Sequence, residues 1–478
     1  MIRRRRTRIV ATLGPACRPP GMVLALAEAG VDVFRLNFSH GTHDDHAAAL
    51  AAVRQAEAAI GRPLAALADL QGPKFRLGVF AAGRIDIAPG QMLRLDLDPA
   101  PGDRRRIGLP HPEVLRVLRE GMDLLLDDGK VRLKVRRAER GAAEVEVMAG
   151  EALSDHKGLA VPGVTIPVPA MTAKDQTDAE FALRIGVDWI ALSFVQRAED
   201  VIEAKKLIRG RAAVMAKIEK PQAIERLPEI IEASDALMVA RGDLGVELPL
   251  ERVPSLQKQM TRLARRAGKP VVVATQMLES MIQSPVPTRA EVSDVATAVY
   301  EGADAIMLSA ESAAGKFPVE AVSTMNRIGE EVERDPTYRG VLNAQRAEPE
   351  PTVGDAIADA ARQIAETLDL SAIICWTSSG STALRVARER PKPPIVAITP
   401  NLSTGRKLSA VWGVHCVVAE DAHDLDDMVS RAGSIAFRDG FVRAGQRVII
   451  VAGVPLGSPG TTNMLRIASV GPDDDADM

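Results

Sequence analysis

The stretches WIALSF (189–194), AVMAKIE (213–219) and ALMVARGD (236–243) decide the fold of this chain. Each is a short apolar run that ends in polar residues, and helical patterns separate the runs. Such alternation is typical of buried parallel strands in βα units. Five similar runs are RIVATLG (8–14), VDVFRLNF (31–38), LAALADLQ (64–71), VVVATQM (271–277) and AIMLSAES (305–312). Eight such runs predict an α/β protein built on a (β/α)8 TIM barrel.

Polar residues two positions apart end most of these runs. Residues two apart on a strand share a face, and an unpaired polar group in a buried sheet costs roughly 2 to 7 kcal/mol. In a TIM barrel the active site lies where the C-terminal ends of the strands meet. We therefore expect these residues at an active site. The pairs are Arg35 with Asn37, Asp69 with Gln71, Lys217 with Glu219, Arg241 with Asp243, and Ser309 with Glu311.

Composition narrows the classes of partner and compartment. The 478 residues include 60 basic and 63 acidic side chains, a balance that favours neither nucleic acid nor a membrane surface. The three cysteines are widely spaced, which argues against disulfides and a structural zinc site. With no apolar leader or spanning segment, we expect a cytoplasmic protein. The arginines at 3–6 are expected to form a solvated arm.

The third and fourth strand patterns lie too far apart for one crossover, which predicts an insertion. Residues 73–169 show two-residue alternation in LRLDLD (93–98), VRLKVRR (131–137) and AEVEVMAG (143–150), and Asp128-Gly129 is typical of a hairpin turn. We expect a small β-barrel lid domain above the barrel, able to exclude water from substrate. A passive insertion remains the alternative.

A third domain follows the acidic, proline-containing stretch AEPEPTVGD (347–355). Strand patterns alternate there with helical ones, which predicts a C-terminal α/β domain at 345–478. The barrel itself is then assigned to 1–72 and 170–344. The four strand patterns are SAIICW (371–376), PPIVAIT (393–399), VHCVVAE (414–420) and QRVIIVAG (446–453).

Two acidic residues on neighbouring strands suggest a metal site. Glu219 and Asp243 suit Mg²⁺, which is usually held by one or two carboxylates together with water and ligand oxygens. A structural salt bridge between Lys217 and Glu219 is the alternative. The Gly242 backbone and the Thr275 hydroxyl can bind a carboxylate. With Lys217 and two arginines, Arg35 and Arg76, this set predicts a metal-dependent enzyme for a phosphorylated or carboxylated metabolite.

Six segments resemble the signature segments of the pyruvate kinase family. The resemblance extends over nearly the whole chain and includes the insertion and the C-terminal domain. It implies phosphoryl transfer from phosphoenolpyruvate to ADP, giving pyruvate and ATP in glycolysis, and a homotetramer. The segments are RLNFSHG (35–41), DLQGPK (69–74), KIEKPQAIE (217–225), MVARGDLGVE (238–247), ATQMLESM (274–281) and IMLSAESAAGKFPVEAV (306–322).

The resemblance also implies a role for each matching residue. Glu219 and Asp243 would hold Mg²⁺, and a second Mg²⁺ would arrive with the nucleotide. Lys217 would stabilise the phosphoryl group, while Thr275 and Ser309 would lie on a proton relay to the enolate carbon. The substrate carboxylate would bind at Gly242, Asp243 and Thr275. The residues expected near the nucleotide are Arg35, Asn37, His40, Arg76 and Lys174, and for His40 simple packing is the alternative.

One departure from the common family pattern concerns monovalent cations. Many members carry Thr-Lys after the aspartate and Glu three residues further on, and these need K⁺. Here the corresponding residues are Leu70, Gln71 and Lys74. The Lys74 ammonium would occupy the place of the cation, so we expect activity without K⁺.

The C-terminal domain contains a hydroxyl-rich loop that precedes a helix. Hydroxyls and backbone N–H groups at a helix start can cradle a phosphate, although an ordinary helix cap is the alternative. The resemblance places an allosteric sugar-phosphate site here, with GVPLGSPGTTN (453–463) as its flanking loop. The loop residues are Thr377, Ser378, Ser379, Gly380, Ser381 and Thr382.

Two rival functions remain from the residues alone. A Mg²⁺-dependent lyase or aldolase acting on pyruvate or phosphoenolpyruvate would also place Glu and Asp on adjacent strands, but it would not need Arg76, Lys174 or a nucleotide lid. A metabolite-sensing protein without catalysis would not need Lys217, Glu219, Asp243 and Thr275 together.

Overall fold

A closed barrel of eight parallel strands forms the centre of the molecule. The computed structural model describes residues 3–164, 166–346, 348–456 and 460–470. Each barrel strand pairs with the next in the series below, and the last pairs with the first, so the predicted TIM barrel is confirmed. Numbered in chain order, the strands are β1 (Arg8–Leu13), β2 (Val33–Asn37), β3 (Ala65–Asp69), β12 (Trp189–Leu192), β13 (Ala213–Ile218), β14 (Ala236–Ala240), β15 (Val271–Ala274) and β16 (Ala305–Leu308).

Helices surround the barrel, and several begin at sequence-encoded caps. Thr42 caps one helix by accepting a hydrogen bond from Asp45 N, and the Asp45 carboxylate accepts one from Thr42 N. The helices around the barrel are α1 (Pro20–Ala29), α2 (His43–Ile60), α4 (Ala173–Ile185), α5 (Ala198–Ile208), α6 (Pro221–Glu225), α7 (Leu227–Ala233), α8 (Arg241–Glu247), α9 (Val253–Arg266), α10 (Arg289–Tyr300), α11 (Ala310–Ala313), α12 (Pro318–Arg334) and α13 (Pro336–Ala344). Three 3₁₀ turns lie at Pro15–Cys17, Leu250–Arg252 and Glu279–Ile282.

Two of the predicted strand-face pairs are wrong because the chain turns into helix earlier than expected. Strand β14 ends at Ala240, and α8 begins at Arg241, so Arg241 and Asp243 do not lie on a strand. The Thr275 hydroxyl accepts a hydrogen bond from Gly242 N at 2.8 Å and holds this turn. Ser309 and Glu311 also follow their strand, and the Glu311 carboxylate accepts a hydrogen bond from Ser309 N at 2.7 Å.

Alternating residues of the strands fill two separate apolar regions. Inward-facing side chains such as Val10, Leu67 and Met238 form a core inside the barrel. Their neighbours along the strands pack outward against the helices, as Ile9 and Ala68 do. The inner core holds the strand ends in fixed positions and so supports the residues at the barrel mouth, by which we mean the C-terminal ends of the strands.

The inserted segment lies between β3 and α4. Two sheets surround one apolar core, a six-stranded sheet in the order β11-β7-β8-β9-β5-β6 and the pair β4-β10. Asp128 and Gly129 occupy the predicted hairpin turn, both with positive φ. Its elements are β4 (Arg84–Asp86), β5 (Met92–Asp96), β6 (Arg106–Gly108), α3 (Pro112–Val117), β7 (Asp123–Leu126), β8 (Val131–Glu139), β9 (Ala142–Ala149), β10 (Ala152–Ser154) and β11 (Leu159–Ala160).

The C-terminal region forms a five-stranded sheet with helices, in the order β19-β18-β17-β20-β21. Four strands match the predicted patterns. The antiparallel edge strand β21 was missed, because its exposed residues show no clear alternation. The elements are α14 (Val353–Thr367), β17 (Ile373–Trp376), α15 (Ser381–Arg388), β18 (Ile395–Thr399), α16 (Leu402–Leu408), β19 (Val414–Val418), α17 (Leu425–Arg438), β20 (Arg447–Ala452) and β21 (Met464–Ser469).

The expectation of a solvated N-terminal arm is wrong. Arg5 is 1% exposed, and its guanidinium binds the buried Asp32 carboxylate at 3.0 Å. Arg6 binds backbone carbonyls of the C-terminal region at Pro391 and Lys392. The ion pair with Asp32 and the hydrogen bonds to backbone carbonyls hold the arm, and its position at a chain terminus did not predict them. Within the described residues, no helix is both long and apolar enough to cross a bilayer.

Candidate active site

Lys217 lies at the centre of the barrel mouth. Its ammonium is 2.7 Å from Ser193 Oγ and 3.0 Å from Asp69 Oδ1 and from Glu219 Oε1. Asp69 also accepts a hydrogen bond of 2.6 Å from Arg35 Nε. Strands β2, β3, β12 and β13, with the residues that directly follow β12 and β13, position these groups, so side chains distant in sequence form one buried cluster.

The ionised groups in this cluster are stabilised by the opposite charges beside them. Burial acts against the charge on Lys217, but Asp69 and Glu219 outweigh it and raise its pKa. Burial likewise opposes ionisation of Asp69, yet Lys217 and Arg35 lower the pKa of that carboxyl. For Glu219, burial dominates and raises the pKa, with a further contribution from Asp243. The cluster is therefore cationic at Lys217 and retains carboxylate character at Asp69.

The predicted metal ligands, Glu219 and Asp243, carry the oxygen donors that a small divalent cation prefers. Glu219 Oε2 accepts a hydrogen bond from Phe194 N at 2.7 Å, which fixes its orientation. Asp243 is partly exposed, and Lys74 Nζ lies 3.5 Å from its Oδ1. No group of three or more His, Cys, Asp or Glu suited to a metal occurs in the described part of the chain. Mg²⁺ needs only one or two carboxylates when water and substrate supply the rest.

The turn after β15 carries two residues in an uncommon conformation. Thr275 has φ of 71° and Gln276 has φ of 52°. Non-glycine residues with positive φ cost free energy and often occur at functional sites. This conformation places the Thr275 hydroxyl 2.8 Å from Gly242 N. The predicted carboxylate-binding residues Gly242 and Thr275 are thus in contact, and Asp243 N lies in the first turn of α8, where N–H groups lack helical partners.

A second set of predicted residues lines a cavity of about 680 Å³ beside the cluster. Ser309 lies with the expected nucleotide residues there and makes no hydrogen bond with Thr275 within the described residues. Asn37 Oδ1 accepts a hydrogen bond from Ser39 N at 3.2 Å. The predicted residues in the cavity wall are Arg35, Asn37, His40 and Ser309.

The remaining nucleotide candidates do not line this cavity. Lys174 Nζ donates to Phe38 O at 2.9 Å and contacts Asp178 Oδ2 at 2.5 Å, so it stands at the start of α4 beside the end of β2. Arg76 belongs to the insertion, and its guanidinium donates to His156 O at 3.0 Å. No described contact joins Arg76 to the charged cluster.

Sequence reasoning missed one member of the cluster and gave no role to another. Asp69 was expected at the active site as a strand-end residue but was given no role there, and Ser193 was not considered. Ser193 Oγ accepts from Lys217 and donates to Leu70 O at 2.6 Å. Its position directly after the buried strand β12 was the available signal. Gly72 lies against it, since a Cβ at Gly72 would meet the Ser193 side chain at 2.9 Å.

The hydroxyl-rich loop of the C-terminal region lines a small cavity of about 30 Å³. Two of its hydroxyl groups are buried and bonded within the protein, since Thr377 Oγ1 accepts from Gly380 N and Thr382 Oγ1 contacts Thr462 Oγ1, both at 2.9 Å. Ser379 is exposed. Among the described residues, the lining includes Asp421 but no basic side chain. Residues 457–459 of the predicted flanking loop lie outside the described residues.

Opposite charges gathered at the C-terminal ends of barrel strands, beneath an inserted segment, are typical of a TIM-barrel enzyme that acts on a charged substrate. Residues 4–322 match the family described as pyruvate kinase, barrel domain, and residues 355–468 match pyruvate kinase, alpha/beta domain. The chain belongs to the pyruvate kinase family.

Curated relatives agree over the full length of the chain. A pyruvate kinase of Methylorubrum extorquens is 60% identical over 470 residues, covering 98% of each chain. One from Agrobacterium vitis is 46% identical, covering 99% of this chain and 98% of the relative, and one from Mycobacterium tuberculosis is 44% identical, covering 98% and 99%. The activity is thus that of a glycolytic phosphotransferase, which converts phosphoenolpyruvate and ADP to pyruvate and ATP. The lyase or aldolase alternative is not favoured.

Proposed function

We propose that Lys217 stabilises the phosphoryl group during its transfer from phosphoenolpyruvate to ADP. The observation that carries this assignment is the buried ammonium held by Asp69, Glu219 and Ser193 at the barrel mouth. A charge fixed in position before reaction is not reorganised during it, so it stabilises the developing charge effectively. The guanidinium group of Arg35 pairs with the same Asp69 carboxylate and is a second cation, on the side of the proposed nucleotide site.

Glu219 and Asp243 are proposed as the Mg²⁺ ligands. The oxygen donors and the incompletely satisfied Asp243 carboxylate support this assignment. When bound, Mg²⁺ would neutralise charge on substrate oxygens, and a second ion would accompany the nucleotide. Phe194 N keeps Glu219 oriented, and Lys217 limits the repulsion between the two carboxylates.

The substrate carboxylate is assigned to the first turn of α8. Gly242 and Asp243 contribute backbone there, and Thr275 contributes its hydroxyl. Binding at this turn orients the enolate for protonation, for which Thr275 and Ser309 are the proposed relay residues. The nucleotide is assigned to Arg35, Asn37 and His40 in the larger cavity. Arg76 and Lys174 would approach its phosphates from the lid and from α4.

A coupled assay with lactate dehydrogenase tests the reaction. NADH loss should require phosphoenolpyruvate, ADP and Mg²⁺ together. Pyruvate formation without ADP would instead identify a lyase.

Mn²⁺ binding, followed by electron paramagnetic resonance, tests the proposed metal ligands separately. Glu219→Gln and Asp243→Asn should weaken Mn²⁺ binding, while the exposed Asp86→Asn should not.

Lys74 is proposed to replace the monovalent cation. Its ammonium lies 3.5 Å from Asp243 Oδ1 and therefore supplies positive charge beside the metal site. We expect full activity in tetramethylammonium buffer without K⁺. Lys74→Glu should create K⁺ dependence, whereas Lys130→Glu, at an exposed position of the insertion, should not. Strong stimulation of the unmodified enzyme by KCl would contradict the assignment.

Regulation and assembly complete the proposal. A phosphorylated effector is assigned to the loop of Thr377, Ser378, Ser379, Gly380, Ser381 and Thr382. A homotetramer in the cytoplasm is proposed, and the exposed edge strand β21 supports an interface because its outer N–H and C=O groups can pair with a second copy. Calorimetry with sugar phosphates should give binding that Ser379→Asp removes, and light scattering should give the tetramer mass.

A further inference from the structure

Arg76 lies on the extended segment by which the chain enters the insertion. The residues on either side of it, 75 and 77, pair with residues 157–159 of the returning chain through two backbone hydrogen bonds of 2.9 Å. The Arg76 guanidinium donates to His156 O on the same returning chain at 3.0 Å. The backbone N–H of Arg76 points to the opposite side, because Arg76 is the central, non-hydrogen-bonded residue of this antiparallel bridge. This N–H therefore needs another acceptor.

The acceptor is the imidazole of His111, the residue that directly precedes α3. Arg76 N donates to His111 Nε2 at 3.0 Å. The ring packs edge-on against Phe75, with ring centroids 5.2 Å apart, and the His111 side chain is only 22% exposed. An imidazole nitrogen accepts a hydrogen bond only when it carries no proton. The contact with Arg76 therefore requires the neutral form of His111.

The other ring nitrogen of His111 contacts an acid. Its Nδ1 lies 3.3 Å from Glu113 Oε1, so the neutral ring carries its proton on Nδ1 and donates it to this carboxylate. Glu113 can accept that hydrogen bond in both protonation states of the ring. No other charged side chain in the described ranges makes a hydrogen bond or ion pair with the imidazole, because Lys157 on the returning chain is paired with another acid and the His156 side chain is exposed. Only the contact with Arg76 distinguishes neutral His111 from its cation.

We propose that His111 is a positioning residue for Arg76 and makes the binding of ADP depend on pH. This role of His111 rests on the proposed assignment of Arg76 to the nucleotide phosphates. With neutral His111, the backbone of Arg76 is fixed on both sides, which lowers the entropy cost of placing its guanidinium on a phosphate. Histidine side chains take up a proton between about pH 8 and pH 5. Nε2 then becomes a donor that faces the Arg76 N–H, so the hydrogen bond is lost and the affinity for ADP falls.

His111→Gln provides the sharpest test, because an amide oxygen accepts a hydrogen bond at any pH. The KM for ADP is measured at about pH 8 and about pH 6, with saturating phosphoenolpyruvate and Mg²⁺. On acidification, the KM of the unmodified enzyme should rise about fivefold more than that of His111→Gln, the effect of one hydrogen bond. Ionisation of ADP itself acts equally on both proteins and cancels. The exposed His423→Gln, in the C-terminal region, should behave as the unmodified enzyme does.

A second variant separates positioning from a general effect on the insertion. His111→Leu has no acceptor at any pH, so its KM for ADP at about pH 8 should already be raised about fivefold, and acidification should change it no more than it changes that of His111→Gln. Its KM for phosphoenolpyruvate should stay unchanged, because Arg76 is assigned to the nucleotide alone. Thermal unfolding checks that His111→Leu is folded, and the comparison with His111→Gln stands without it.

Arg76→Gln separates the role of His111 from the assignment of Arg76 on which it rests. If Arg76→Gln raises the KM for ADP by about tenfold but His111→Gln keeps the pH dependence of the unmodified enzyme, the role of His111 is overturned and the nucleotide assignment stands. If Arg76→Gln leaves the KM for ADP unchanged, both are overturned. Equal changes in the KM values for ADP and phosphoenolpyruvate in His111→Leu also overturn the positioning role. A flattened pH response in His111→Gln, together with an effect of His111→Leu on ADP alone, supports it.

Discussion

The two ends of the barrel each bury an aspartate among cations, but of the two aspartates only the one at the mouth has a partner that lines the cavity of about 680 Å³. At the N-terminal end, Asp32 contacts Arg5 at 3.0 Å, Arg62 at 3.3 Å and Arg3 at 3.4 Å, and Arg8 at 3.7 Å. We call these five residues the Asp32 cluster. At the mouth, the buried aspartate is Asp69. Its partner Arg35 lines the large cavity, and its partner Lys217 also contacts a second carboxylate.

The difference separates charge used for stability from charge used for chemistry. The cations of the Asp32 cluster also bind backbone carbonyls, as Arg5 does at Gly30 and Arg8 does at Val411. Its guanidinium groups thus close the N-terminal end of the barrel and join it to the C-terminal region. At the mouth, the described partners of the Lys217 ammonium are all side chains, which a substrate can replace as partners. The contrast agrees with the general division of TIM barrels into a stabilising and a catalytic end.

Removing the aspartate of the stabilising end should have the largest effect. Asp32→Asn leaves four cations buried without their counter-charge, so the free energy of unfolding should fall by about 3 to 5 kcal/mol. Urea denaturation measures this change. The exposed Asp86→Asn, which loses only surface ion pairs, should change it by less than about 1 kcal/mol. Equal effects of the two variants would show that the Asp32 cluster does not stabilise the fold.

At the catalytic end, Lys217→Met should act on turnover. We expect kcat to fall by roughly 10²- to 10³-fold, with a much smaller change in KM for phosphoenolpyruvate, because the ammonium acts on charge that develops during transfer. Steady-state kinetics in the coupled assay gives both constants. Lys220→Met, which removes a neighbouring lysine paired with Glu247, is the matched control. A rise in KM at constant kcat would place Lys217 in ground-state binding only.

The sequence predicts the charged residues at the mouth but not those of the Asp32 cluster. Strand-end polarity indicated Lys217 and Glu219 because both follow the two-residue period of β13. Asp32 precedes β2 inside an apolar run, and its four partners are distant along the chain or in a terminal arm, so no local pattern groups them. Arg241 was misplaced for a related reason: the onset of α8 depends on the Thr275 hydroxyl, which belongs to another strand.

Acidification should protonate the buried aspartates at both ends of the barrel and so lower the free energy of unfolding. Burial opposes ionisation of Asp32, but Arg5 and its neighbours hold its pKa well below the usual range. A carboxylate with a depressed folded-state pKa contributes stability that is complete above its unfolded pKa of about 3.9 and is lost as pH falls through the folded value. The free energy of unfolding should therefore decrease below about pH 4.

Substitutions identify the carboxylates that cause this loss of stability at low pH, which we call the acid limb. In urea denaturation from neutral to acidic pH, Asp32→Asn should flatten the limb by on the order of 2 kcal/mol. Asp69, whose pKa is also lowered, accounts for a further part, so Asp69→Asn should flatten it too and should in addition reduce kcat. Asp86→Asn should leave it intact. An unchanged limb in Asp32→Asn would mean that the arginines do not depress this pKa in solution.

The smallest effect concerns redundancy among the cations. Arg62→Gln removes one of the four partners of Asp32 and also relieves repulsion between guanidinium groups, so it should cost only about 1 kcal/mol and leave kcat unchanged. Arg35→Gln, the matched change at the mouth, should cost a similar amount of stability but lower kcat/KM for ADP by about tenfold or more. Denaturation and kinetics on the same preparations compare the two. If Arg62→Gln destabilises as much as Asp32→Asn, the cations act as one indivisible unit, and the redundancy inferred for the closed end is wrong.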